Sequence, residues 1–264
     1  IYHRMGVCCS MKMFTTEGKT LPEAYHKALY LLEKEGKVYP CPDYNTTMKE
    51  LPMTFYVEQA DAEPFISRLF PGGNHELQQY TMEICDGILD FMVGAGENVW
   101  EYTYHQRFAH QLPWIIEELK RNPFSRRAIM NIRDFDVDSS NEHPACLQSI
   151  HFAIREDQLN MTVMMRSNDA VQATYMNAVG FIALQKKVAA ELKVPIGSYT
   201  HIAYSFHAYE NCFERLTKYT EAIRRKDIKD LTYHYQGFYD ALMKDEIPAI
   251  MAMVADQKAK YNIK

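Results

Sequence analysis

No stretch of this sequence reaches the roughly 18 consecutive apolar residues that a membrane-spanning helix needs, so a spanning protein is not expected. The N-terminus carries Arg4 with no apolar run behind it, which does not read as a secretory signal. Gly/Ser tracts, Pro-rich runs, long blocks of like charge and internal repeats are all missing. One domain over residues 1–264 is therefore expected. No G-x-G-x-x-G occurs, so a dinucleotide fold has no support. Cys8, Cys9, Cys41, Cys85, Cys146 and Cys212 show no repeated spacing, which argues against a disulfide framework and for a reducing cytoplasm. His143 lies near Cys146, but no C-x-x-C or H-x-x-x-H completes a zinc shell. The zinc deaminase pattern is absent, and Asn74-His75-Glu76 lacks the second His of H-E-x-x-H. The net charge of −5 speaks against nucleic-acid binding through bulk electrostatics and leaves room for one local basic pocket.

What is present reads as interspersed strands and helices without regular βαβ alternation. A helix is expected from Leu21 to Gly36, with Pro22 and Glu23 in its first turn. A loop follows over 39–47 and a strand over Met53–Val57. Asn74 reads as the cap of a helix through Ile88, broken at Gly94 to Gly96. Gln111 to Arg121 reads as a helix and 128–132 as a strand. Strands near 147–155 and 159–166 are joined by a turn at Glu156-Asp157. A mostly buried helix is expected over Val179–Leu192, a strand over Tyr199–Tyr209, and a largely helical remainder. Residues 1–20 read as strand or coil. The fold class is α/β (α+β), a mixed sheet covered by helices.

The chemistry concentrates between Asn122 and Tyr209. A lone cysteine is usually a small buried hydrophobe. However, Arg166 closes the strand after the one that follows Cys146, so pairing of the two brings a cation near the thiol and makes it a candidate nucleophile. Arg126, Arg127 and Arg166, with Ser167, are suited to a phosphate, which guanidinium forks bind with charge-assisted hydrogen bonds. The bland reading is a solvated basic surface. Asp169 and Asn177 flank the start of the buried helix and suit capping, but a carboxamide also matches the donor–acceptor edge of a pyrimidine. His207 and Tyr209 share one face of a strand. They read either as core residues or as a pair recognising a sugar hydroxyl.

In order and spacing, Asn122-Pro123-Phe124-Ser125-Arg126-Arg127, Cys146, Met165-Arg166-Ser167-Asn168-Asp169, Asn177 and His207-Ala208-Tyr209 resemble the thymidylate synthase family. Upstream, His75-Glu76-Leu77 is similar to that family's His-Glu-Leu segment, whose glutamate organises water and proton transfer. Tyr102 to Arg107 is similar to its Tyr-Gly-x-Gln-Trp-Arg segment. The resemblance implies Cys146, Glu76, Tyr102 and Asp169 as catalytic residues. It implies Arg126, Arg127, Arg166, Ser167, Asn177, His207 and Tyr209 as substrate-binding residues. It further implies 5,10-methylenetetrahydrofolate as cofactor and a pyrimidine nucleoside monophosphate as substrate. A homodimer is implied too, its sheets packed back to back, with Arg126 and Arg127 reaching the partner's site.

Departures from the family pattern point to one branch. Leu147 stands where His usually follows the cysteine, Met165 replaces Gln, and Tyr204-Ser205-Phe206 replaces a segment with Gly-Asp. Leu89 corresponds to a family tryptophan, and the family's closing tail is not seen in Lys260–Lys264. The pattern is similar to the phage-type deoxypyrimidine-nucleotide hydroxymethylases, in which water rather than hydride completes the reaction. Asn177 resembles the uracil-recognising members, where cytosine-specific ones carry Asp, so deoxyuridylate is expected over deoxycytidylate or cytidylate. The alternatives are an ordinary thymidylate synthase and a non-catalytic nucleotide-binding relative.

Overall fold

The computed structural model describes residues 12–95, 100–235, 237 and 239–263. Its strands are β1 (Phe14–Gly18), β2 (Lys37–Cys41), β3 (Thr46–Val57), β4 (Ile66–Ser67), β5 (Ile129–Asn131), β6 (Leu147–Arg155), β7 (Gln158–Met165), β8 (Asn168–Asp169), β9 (Ile196–Tyr209) and β10 (Thr232–Tyr233). Its helices are α1 (Leu21–Glu35), α2 (Asn74–Asp86), α3 (Tyr104–Phe108), α4 (Leu112–Arg121), α5 (Phe135–Asp138), α6 (Thr174–Leu192), α7 (Phe213–Arg225), α8 (Tyr239–Asp245) and α9 (Ile247–Lys260).

The main sheet runs β1-β3-β9-β7-β6-β5, with β2 on β3 and β8 on β9. It is mixed: β1 is parallel to β3, β7 and β8 are parallel to β9, and the other pairs are antiparallel. β4 and β10 form a separate small ribbon.

Side chains alternate in and out along these strands because a strand repeats every two residues. Tyr199, His201 and Ala203 of β9 are buried under the helices. Their neighbours Thr200, Ile202 and Tyr204 point the other way and are half-buried or exposed. Register carries this second face across the sheet through Thr162 and Met164, then Ser149 and His151, then Ile129 and Asn131.

α6 crosses the covered face, with Phe181, Ile182, Leu184 and Val188 fully buried. Such side chains contribute about 1.5–3 kcal/mol each when taken out of water. Gly180 sets how closely α2 can approach, since a Cβ there would lie 2.8 Å from the Tyr80 ring.

Several expectations change. Residues 39–47 are not one loop: β2 and β3 form a hairpin around the 3-10 turn Pro42–Tyr44, with Asn45 left-handed at φ 48°. Asn74 is the first helical residue of α2, with Gly73 at the cap. That helix stops at Asp86 because Gly87 turns left-handed at φ 63°. α6 begins at Thr174, five residues ahead of the expected start, so Asn177 lies inside the helix and is not its cap. The remainder after Glu210 includes the short strand β10. Cys8, Cys9 and Gly96 lie outside the described residues. The cysteines Cys41, Cys85, Cys146 and Cys212 are free. Among the described residues no helix is long and apolar enough to cross a membrane, and no cluster of metal-ligating side chains occurs.

Candidate active site

Antiparallel pairing of β6 with β7 sets Leu147 opposite Met165. Cys146, one residue before β6, therefore meets Arg166, one residue after β7. The Arg166 N–H donates to the Cys146 carbonyl at 2.8 Å. The guanidinium folds over the same loop, donating from Nε to Ala145 O at 3.1 Å and from Nη2 to Pro144 O at 2.7 Å. Burial pushes the Cys146 thiol above its ordinary pKa, and the Arg166 charge offsets part of that rise.

Four phenols lie close enough to a Cys146 thiolate for its charge to raise their pKa values: Tyr80, Tyr102, Tyr104 and Tyr209. Burial is the larger cause in each, and Tyr102 is pushed up to about 12. The backbone of Cys146 near the Tyr102 hydroxyl, and that of Leu147 near the Tyr104 hydroxyl, offset part of the rise. Tyr102 is backed by Arg107, whose guanidinium lies 5.6 Å from the ring centroid and pairs with the buried Asp138 carboxylate at 2.9 Å. Tyr80 is also adjacent to Glu83. Burial raises the Glu83 carboxyl, and a hydrogen bond from Gln79 at 2.8 Å partly offsets this.

On the other side, a row of rings leads outward from the sheet. His207 meets Tyr209 edge-on at 4.8 Å, Tyr209 meets Tyr44 at 5.4 Å, and Tyr44 lies parallel to His143 at 6.4 Å. His207 is 3% exposed, and its Nε2 has no hydrogen-bond partner among the described residues. Ser205 Oγ lies 3.2 Å from His207 Nδ1. Burial holds the His207 imidazole below its usual pKa, and Asp169 works against that.

The Arg166–Asp169 turn is anchored from below. His201 Nε2 lies 2.8 Å from Asn168 Oδ1, so that nitrogen carries the proton and Nδ1 accepts from the Tyr199 hydroxyl at 2.7 Å. Burial lowers His201 to about 3, so the relay stays neutral.

Cys146, Tyr102, Arg166, Asp169, His207 and Tyr209 thus come together, with Ser167 half-buried beside Arg166. Asp169 does not cap α6, whose N-cap is Ala173; its Oδ1 instead closes the preceding turn, accepting from the N–H groups of Val171 and Gln172, each at 2.9 Å. Asn177 is 6% exposed in α6, and no described residue hydrogen-bonds to its carboxamide. Arg126 and Arg127 are exposed and stand apart from the cluster in their own chain. Glu76 is not in the cluster either. It is exposed at the start of α2, where its carboxylate accepts from the Gly73 N–H at 2.7 Å. Leu89 packs with Met92 and with Val254 of α9, away from the thiol's ring of phenols.

Sequence reasoning missed Glu83, Tyr80, Tyr104 and the Arg107–Asp138 pair. The signal for the first two was helical spacing: 76, 80 and 83 share one stripe of α2.

The family model described as thymidylate synthase matches residues 70–245. The chain belongs to the thymidylate synthase family. Family members transfer a one-carbon unit from a folate to a pyrimidine nucleotide, and this chain is a transferase of that kind. A protein of Methanocaldococcus jannaschii, provisionally named a thymidylate synthase, is 29% identical over 78% of this chain and 96% of its own length. A deoxyuridylate hydroxymethyltransferase of Pseudomonas phage M6 is 31% identical over 78% of this chain, which spans 64% of that protein. The fold is shared with thermostable thymidylate synthase A from Bacillus subtilis at a TM-score of 0.62 and 15% identity, covering 76% of this chain and 84% of that one.

Proposed function

We propose that the chain is a pyrimidine nucleoside monophosphate 5-hydroxymethylase acting on deoxyuridylate. The observation that carries this reading is the half-buried Cys146 thiol beside the Arg166 guanidinium, ringed by Tyr80, Tyr102 and Tyr104, with Glu83 next to Tyr80. In this reading Sγ adds to C6 of the pyrimidine and C5 becomes the nucleophile. Attack at C6 drives negative charge onto the ring oxygen O4. Glu83, whose carboxyl is raised above its ordinary pKa by burial, is the acid we assign to that charge.

When bound, 5,10-methylenetetrahydrofolate supplies the one-carbon unit. The carbon must arrive at the ring atom next to the one the thiol attacks. The residues we assign to face it are therefore Tyr80, Tyr102 and Glu83, and their hydroxyls and carboxyl suit proton transfer at that position. For the product to form, C5 would give up its proton to one of these groups, the one-carbon unit would part from the folate nitrogen, water would add to that carbon, and loss of the Cys146 thiolate from C6 would restore the ring with no net oxidation or reduction.

The substrate's other parts follow from unspent polar groups. His207 Nε2, buried and without a partner among the described residues, and Tyr209 suit a sugar hydroxyl. Arg166 and Ser167 suit the phosphate, together with Arg126 and Arg127 of the partner subunit. Asn177 offers a donor to O4 and an acceptor to N3–H of uracil. A homodimer is supported by the uncovered sheet face, where Ile129, Ile202, Met164 and Tyr204 lie beside His151, whose buried Nε2 has no partner among the described residues.

The phage relative supports hydroxymethylation, as do Leu147 and the Ser205 beside His207. The methanogen relatives favour a second reading, reductive methylation to thymidylate. Mass analysis of the product separates the two. The expected product from deoxyuridylate carries a hydroxymethyl group and forms without dihydrofolate absorbance. A methyl product with dihydrofolate assigns the second reading, and faster turnover of deoxycytidylate or cytidylate overturns the base assignment.

A further inference from the structure

Two guanidiniums on an exposed loop need a fixed backbone if they are to bind one phosphate, because each mobile side chain costs entropy on binding. The Asn122–Arg127 loop has such a fixture. At its centre is Glu118 of α4, a carboxylate only 5% exposed. Its Oε1 accepts from the Ser125 hydroxyl at 2.6 Å, and its Oε2 accepts from the Arg121 guanidinium. Ser125 is itself buried and uses the same oxygen to accept the Arg127 N–H at 3.2 Å. The Ser125 N–H donates to Asn122 O at 2.9 Å, and the Asn122 N–H donates to Glu118 O at 2.9 Å. Asn122 Oδ1 accepts from the Phe124 N–H at 3.2 Å. The loop is thus sewn to one buried anion while Arg126 and Arg127 stay exposed.

We infer that Glu118 is a positioning residue acting in trans: through Ser125 it presents Arg126 and Arg127 to the nucleotide site of the partner subunit. This rests on the proposed dimer and its shared phosphate site. The loop does not touch the Cys146 cluster of its own chain, so loosening it leaves that cluster intact. Arg121, held on the second carboxylate oxygen, balances the buried charge and is not needed for the presentation. A purely structural Glu118 would damage its own subunit, whereas the latch damages the neighbour.

Heterodimers purified with two different tags separate these cases, using nucleotide titration alongside KM and kcat. In the first heterodimer one protomer carries Cys146→Ala with Glu118→Ala and the other is unaltered. Its single working site faces a loosened arginine pair, and its KM should rise roughly ten- to a hundredfold, the size expected for one or two charge-assisted hydrogen bonds. Its kcat should change little. In the second, Glu118→Ala sits on the protomer that retains Cys146, and KM should stay normal. Glu118→Gln keeps an acceptor for Ser125 and should restore most of the affinity. A raised KM in the second arrangement only, or in neither, overturns the trans latch. Failure of the unaltered protein to bind any pyrimidine nucleotide, or to form a dimer, sinks the underlying reading and the latch with it.

Discussion

Glu76 and Glu83 lie seven residues apart on one stripe of the same helix, about two turns from each other, and their environments are opposite. Glu76 is exposed, and the Gly73 N–H holds its carboxyl below the usual range. Glu83 is withdrawn from water beside Tyr80, and burial holds its carboxyl above that range. A carboxylate at a helix N-terminus stabilises the helix; a carboxyl group whose pKa is raised in a reactive cleft is suited to proton transfer. Residue type and local motif favoured the first. Only the packing of α2 against α6 and the tyrosines singles out the second.

The comparison breaks most sharply under matched substitutions. Glu83→Gln should lower kcat roughly 10²- to 10⁴-fold, the usual contribution of a positioned acid or base, with nucleotide affinity nearly unchanged. Glu76→Gln should leave kcat within a few fold and cost about 0.3–1 kcal/mol of stability, as for a charge lost from a helix start. Steady-state kinetics with thermal melts reads both, and equal effects on kcat would erase the distinction. The sign of the Glu76 effect follows from its depressed carboxyl. Its stabilisation is present above the unfolded-state pKa and fades as pH falls through the lower folded value.

A smaller effect sharpens the nucleotide side. Asn177→Asp should move kcat/KM toward cytosine by about tenfold or more, since one mismatched buried hydrogen-bonding group costs ~1–3 kcal/mol. An unchanged ratio between deoxyuridylate and deoxycytidylate would remove Asn177 from base recognition.

The smallest expected effect concerns the thiol. Its raised pKa predicts that iodoacetamide labelling of Cys146 keeps increasing with pH beyond the point where an ordinary thiol levels off. Arg166→Met should push that rise to still higher pH. A shift to lower pH would mean that the guanidinium does not stabilise the thiolate.

Much of the sheet was legible before any coordinates. β6 and β7 alternate cleanly around Glu156-Asp157, both of which turn left-handed, so the pairing that joins Cys146 to Arg166 could be anticipated. The β2–β3 hairpin was not, because two prolines in a short polar stretch read as loop. The start of α6 was missed because Thr174, Tyr175 and Asn177 are weak helix formers that tertiary burial overrides. Around Cys146 several residues of the named motifs come together, Glu76, Arg126 and Arg127 do not, and the supports of the cluster were not anticipated. Asp138 and Arg107 are far apart in sequence and meet only through the packing of α3 and α5, and Glu118 serves Ser125 across the end of α4. Leu89 shows the opposite failure, since a position aligned by motif turns out to pack under α9.

One measurement bears most directly on carbon transfer through Cys146: incubation with 5-fluoro-deoxyuridylate and 5,10-methylenetetrahydrofolate, followed by peptide mass spectrometry. A covalent complex carrying nucleotide and folate on the Cys146 peptide, absent in Cys146→Ala, is the predicted result. Tight binding of both ligands with no adduct on that peptide would contradict it.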